Sequence, residues 1–397
     1  MGRAYQPGSE LAWLRFRGAA GGADPWPGVL AWARDLVDRP GDTVGDPGVS
    51  EYFALDARTM VIGLQYASSR ASLLAECGRL CVHLEAAGCV GVIENAPSAR
   101  YPLSMEVGGP FFSSAVVLSL NTRPWRPPQG NPLLTSRAMV RPETLAAALD
   151  HALGWCRVPG GEFLVQCGLY WLRLPGESVE AVVRHLLCTI GDTVSLVCST
   201  VPDRTRVVTF TNEGHLIYAE GNCHAFVPGA ESVALAVELF EELASLATYG
   251  FGTQTRGRVV GNADNVTYPE WRPTRLGGAA TVVRRWEAIA GWDAFACLLH
   301  GPDFPPVPDA APYQVSPLGH GRQLLVHRDA ARWIGGTTVR TVEDLAAARE
   351  GLGACLADPA KLNRMLPAYL VAMKDPGAVA AYGPGPLIPD DHPMKTW

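Results

Sequence analysis

The chain has 397 residues, 48% of them hydrophobic and 18% charged, with a formal net charge of −6. This composition excludes a wholly disordered chain, and the length suits two or three domains with substantial cores. The acidic balance gives no general attraction to phosphate or anionic lipid, and basic clusters are as short as Arg256/Arg258 and Arg284/Arg285; neither a nucleic-acid nor a membrane partner is expected. Lysine occurs only at 361, 374 and 395, so the arginine excess reads as GC-rich coding and not as a chemical demand. Arg15 and Arg17 interrupt the opening segment, and the apolar run 111–120 falls short of the roughly 20 residues of a membrane helix. A soluble, intracellular protein is therefore expected. Asn265-Val-Thr267 fits the glycosylation tripeptide, but without a secretory signal the match carries no weight.

In chain order, residues 1–50 read as a Gly/Pro-containing leader followed by a helix over Pro27–Val37, where Val29, Leu30, Ala33, Leu36 and Val37 recur at helical spacing. A first α+β module is expected over 51–135. It holds a buried strand at Thr59–Leu64, a short helical turn within Ser68–Glu76, and a strand-turn-strand centred on Gly88, with Leu80, Val82 and Leu84 alternating on one face. A strand at Ala115–Leu120 and a proline-rich linker at Arg123–Pro132 close it.

The second module, 136–255, is expected to open with a helix over Pro142–Leu153, proline in its first turn. Strand candidates follow at Phe163–Gln166, Tyr170–Leu174, Leu186–Ile190 and Val194–Cys198, then a hairpin of Arg206–Phe210 and His215–Tyr218 around Gly214. Ser232–Ala247 spells an amphipathic helix on Val233, Val237, Phe240, Leu243 and Leu246, with Gly250 in the turn that stops it. From 256 to 397 a helical and irregular extension is expected, with helices at 279–290, 341–356 and 360–373 and irregular chain over Gly301–Pro317.

The ten cysteines include no Cys-x-x-Cys pair, which argues against a structural zinc site and for reduced core thiols. No phosphate loop, His-Glu-x-x-His or Gly-x-Ser-x-Gly is present; His83-Leu-Glu85 lacks the cysteine pair that would make it a deaminase motif. No catalytic residue, metal ligand or cofactor site is assigned. His215 reads as a solvent-facing strand residue. Trp271, beside prolines, and the hairpin positions Gly88, Gly214, His215 and Tyr218 are the candidate interaction residues.

The second module's order, Val207-Val-Thr-Phe, Asn-Glu-Gly214, Leu-Ile-Tyr218, then an amphipathic helix before Tyr249-Gly-Phe251, resembles the SUKH superfamily, and within it the "US twenty-two" family of betaherpesviruses. The first module resembles the same unit through Met60-Val-Ile-Gly63, Gly78-Arg-Leu-Cys-Val82 and Gly88-Cys-Val-Gly-Val92, with Val92 at the hairpin tyrosine's place. The resemblance implies an α+β fold of two tandem modules with a C-terminal helical extension. It also implies a non-enzymatic protein that binds a host or toxin protein. The viral members act as tegument components or antagonists of host defence in the cytoplasm or nucleus, and the bacterial relatives as toxin-neutralising immunity proteins. A cysteine-dependent enzyme using Cys223 or Cys198 with His215 or His224 is the alternative from another class.

Overall fold

The computed structural model describes residues 10–38, 48–66, 70–96, 98, 112–120, 122–125, 137–140, 142–156, 162–167, 170–189, 194–201, 204–210, 215–222, 228–256, 296–301, 307, 312–334 and 342–352. The first elements are β1 (Glu10–Gly18), α1 (Trp26–Asp38), β2 (Gly48–Ala54), β3 (Thr59–Tyr66), α2 (Arg70–Ala86) and β4 (Gly91–Asn95). Next come β5 (Phe112–Leu120), β6 (Thr122–Trp125), β7 (Arg137–Val140), α3 (Pro142–Trp155), β8 (Glu162–Cys167), β9 (Tyr170–Pro175) and α4 (Gly176–Thr189). Then follow β10 (Val194–Val201), β11 (Arg204–Phe210), β12 (His215–Asn222), α5 (Gly229–Leu243) and β13 (Ala247–Arg256). The last are β14 (Cys297–His300), β15 (Tyr313–Leu318), β16 (Arg322–His327), α6 (Ala330–Trp333) and α7 (Val342–Leu352). The protein is α+β with antiparallel sheets. Two compact units interleave along the chain: Met1–Tyr101, Trp125–Arg137 and Pro159–Val194 form the first, and Pro102–Pro124, Ala138–Val158 and Ser195–Trp397 the second. No helix among the described residues is long and apolar enough to cross a membrane.

In the first unit the sheet order is β2-β3-β1-β4. Alternation sends Leu14, Phe16, Tyr52, Ala54, Met60, Ile62 and Leu64 to one face, where Val29, Leu30, Trp32 and Ala33 of α1 and Leu80 and Leu84 of α2 close the core. On the other face Trp13 and Phe53 meet Tyr170 of β9, with ring centroids 4.8 and 5.9 Å apart. Gly63 is required there, since a Cβ would lie 2.7 Å from the Trp13 ring.

Three expectations in this unit are corrected. Residues 80–84 are helical, not a strand, and α2 continues from 70 through 86. Positions 80 and 84 satisfy both a two-residue and a four-residue period, so Leu80 and Leu84 fit either form; the exposed Val82 between them shows that the helical period won. Gly88 (φ 75°) ends this helix in a left-handed cap, its N–H donating to the Glu85 carbonyl while the Cys89 N–H reaches back to Leu84. Helix and strand flank Gly88, whereas Arg206–Phe210 and His215–Tyr218 are paired strands, so among the described residues the strand-turn-strand is not repeated. Leu186 likewise lies in α4, with Val179 and Val183 on its buried side, and the expected leader contains β1.

In the second unit the strands run β15-β16-β14-β13-β5-β12-β11-β10. The expected hairpin is present, paired from Arg204↔Asn222 to Phe210↔Leu216; its turn, with Gly214, lies outside the described residues. Helix α5 lays Ala236, Leu239, Phe240 and Leu243 into the core, a face rotated from the expected stripe. Gly250 does not cap this helix: it lies inside β13, where a Cβ would come within 2.7 Å of Phe240 and 2.9 Å of Leu118. The expected helical extension contributes β14, β15 and β16 to this sheet as well as α7. Pro317 is accommodated in β15 because that strand is at the edge of the order, where a missing N–H breaks no ladder. The helices expected at 279–290 and 360–373 lie outside the described residues.

Candidate functional site

Of the five candidate interaction residues, three lie among the described residues, Gly88 in the first unit and His215 and Tyr218 in the second. Gly88 is a helix cap in the first unit; Gly214 and Trp271 lie outside the described residues; His215 opens β12, its backbone opposite Ser119 of β5. Tyr218, four positions from Gly214, is fully buried in the core of the second unit. It cannot present itself to a partner.

What Tyr218 does instead is built from three elements. Strand β12 pairs it between Val208 and Val116, and its hydroxyl lies 2.7 Å from Nδ1 of His151 on α3. The other ring nitrogen, Nε2, is 2.8 Å from Oε2 of Glu242 on α5. A carboxylate only accepts, so Nε2 carries a proton; in the neutral ring Nδ1 then accepts from the Tyr218 O–H. Burial, and then the neighbouring Cys156 and Glu242, push the phenol well above its ordinary range, which keeps it a donor. The Trp155 ring packs edge-on against Tyr218 at 5.2 Å, the Arg206 guanidinium stands 4.7 Å over Trp155, and Arg206 donates to the Trp155 carbonyl at 3.2 Å. The chain Glu242–His151–Tyr218 fixes two helices to a strand, with Tyr218 buried at one end and Glu242 half exposed at the other. His151 was not marked by the sequence, because its partners lie 67 and 91 residues away.

The first unit buries a second polar group. Glu76 on α2 has no exposed surface; its carboxylate accepts from Trp32 Nε1 at 2.7 Å and from Arg79 Nε at 2.9 Å. The charge is thereby paired and hydrogen-bonded, the condition under which a buried carboxylate is tolerated.

The outer surface of the same unit is different. Leu74, Val82, Val90 and Val92 are exposed by 61, 63, 68 and 63%. They are the exposed large hydrophobics among the described residues, and all lie on α2 or on the approach to and start of β4. On the outer side of β4 no strand is paired among the described residues. Beside it, Arg15 and Arg17 each bring Nε to 2.8 Å from the same Glu94 oxygen.

Six cysteines in the described residues are reduced thiols: 89, 156, 167 and 297 are buried, and 77 and 81 half-buried on α2. Burial pushes the Cys297 thiol up to about 12, away from thiolate chemistry, and raises Cys77 as well. Cys223 and His224 lie outside the described residues. Among the described residues no three His, Cys, Asp or Glu side chains converge as a metal site. Comparison of the chain with family models, with curated proteins and with solved structures finds no match.

Proposed function

We propose that the protein acts by binding another protein, through the exposed aliphatic side chains of its first unit. The observation that carries this reading is the placement of Leu74, Val82, Val90 and Val92: large aliphatic side chains left in water on one helix and one sheet edge contribute nothing to the core beneath them. The chain at Tyr218 supports it from the other side, since the polar group nearest the recognisable hairpin is buried and holds elements together. The "US twenty-two" resemblance adds the setting, a viral tegument component or antagonist of host defence; a toxin-neutralising bacterial immunity protein is the second setting for the same binding act.

Affinity capture with the full tagged chain from infected or producing cells tests the reading, with Val82→Asp/Val92→Asp as the matched control. A stable partner held by the wild type and released by the double variant is expected. Equal capture by both proteins, or no partner together with turnover of a small substrate, would overturn it.

A further inference from the structure

Backbone polarity along β4 can be read from its two flanking hydrogen bonds. The Val90 carbonyl accepts from the Ala19 N–H at 2.7 Å, and the Ala96 N–H donates to the Trp13 carbonyl at 2.9 Å. Groups alternate along an antiparallel strand, so Val90, Val92, Glu94 and Ala96 turn their N–H and C=O toward β1, and Gly91, Ile93 and Asn95 turn theirs away. The outward groups form the row that strand pairing uses. On one side of that row Ile93 packs against the core; on the other lie Val90, Val92 and Glu94, with Arg17 opposite Val92 and Arg15 opposite Glu94. Two guanidiniums share one carboxylate, leaving one positive charge over on this face, and Arg17 is 57% exposed. Edge strands are commonly protected by charge. Here the one charged side chain of β4 is already neutralised by its neighbours.

We propose that β4 receives an extended segment of a partner protein as an added strand, and that aliphatic and acidic side chains follow one another along the face of this segment that lies beside Val90, Val92 and Glu94. The outward N–H and C=O groups of Gly91, Ile93 and Asn95 hold its backbone. Its aliphatic side chains lie against Val90 and Val92, and its acidic ones complement the surplus charge of Arg15 and Arg17. This deepens the protein-binding reading and rests on it.

The test uses the full chain and fluorescein-labelled nine-residue peptides in which valine and glutamate, or valine and lysine, take turns at every second position with threonine between them, followed by fluorescence anisotropy. The glutamate peptide is expected to bind, and the lysine peptide at least tenfold more weakly. Asn95→Pro removes one outward donor without touching the β1 ladder, and should weaken the glutamate peptide at least tenfold with an unchanged circular dichroism spectrum. Arg17→Glu should reverse the preference between the two peptides. In the wild type, hydrogen exchange should slow at the Ile93 and Asn95 amides on adding peptide and stay the same at Val92 and Glu94, a readout that needs no variant to fold. Equal affinity for both peptides, or protection that ignores this alternation, would overturn strand addition. If that happens while cellular capture still depends on Val82 and Val92, the mode of recognition fails and the protein-binding reading stands; if capture is indifferent to Val82 and Val92, the reading itself fails.

Discussion

The two units handle their most unusual side chains in opposite directions. In the second, Tyr218, His151 and Glu242 come from a strand and two helices that are far apart in sequence, and they satisfy one another with the phenol at the buried end. In the first, Leu74, Val82, Val90 and Val92 stand in water on elements whose opposite sides are well packed. The contrast separates two kinds of departure from an apolar core and a polar surface. A polar chain whose buried end is partnered is accounted for by the fold it fixes. Exposed aliphatic side chains clustered in one unit are not accounted for by folding, and it is there that an interaction is to be sought.

Substitutions in the two regions should therefore separate stability from binding. The largest stability loss is expected at Trp32, which is fully buried and donates to Glu76: Trp32→Ala should cost ~4 kcal/mol in urea unfolding, from the lost contacts, the cavity and the carboxylate's missing donor. A loss under ~1 kcal/mol would show that the first unit's core is less dependent on this pair than its burial implies.

Next is a pH effect in the second unit. Burial lowers His300 from the usual 6.5 to about 4. The unfolded chain takes up this proton first as pH falls, so the stabilisation is fully present above 6.5 and is lost progressively between about 6.5 and 4, amounting to about 3 kcal/mol. Unfolding monitored from pH 7.5 to 4 should show this slope, and His300→Gln should flatten it. An identical slope in the variant would assign the effect to other groups.

A smaller loss is expected from Tyr218→Phe, ~1–2 kcal/mol, because His151 Nδ1 loses its buried partner while the ring packing against Trp155 remains. Val82→Asp and Val92→Asp should change stability least, by ~0.5 kcal/mol or less, and yet abolish partner capture. A large destabilisation by either would place these side chains in the fold's own packing and dissolve the contrast between the units.

Much of the local structure was legible. The helical spacing over 27–37, proline at the first turn of α3, the continuous apolar strand of β3 and the hairpin of β11 and β12 all report short-range physics, and each stands where the pattern puts it. The errors arose where short-range signals are degenerate. Five residues with leucine at 80 and 84 fit a strand or a helix equally, and a glycine after an amphipathic helix reads as a cap, whereas Gly250 is needed because Phe240 and Leu118 leave no room for a Cβ. For the candidate site, Tyr218 was legible as part of a hairpin, but its burial and its partners were not. The β4 edge was hidden for a different reason: whether a strand is central or terminal depends on which strands pair, and no local pattern encodes that.

The sequence alone determined an acidic α+β chain, most of its helices and the Gly214 hairpin, because composition and periodicity act over a few residues. Only the tertiary structure decided that 70–86 is one helix, that the chain's last third adds strands to the second sheet, that His151 and Glu242 meet at Tyr218, and that β4 keeps one edge open among the described residues. Each of those rests on which distant segments pack together, and that choice is made by burial and hydrogen bonding across the fold.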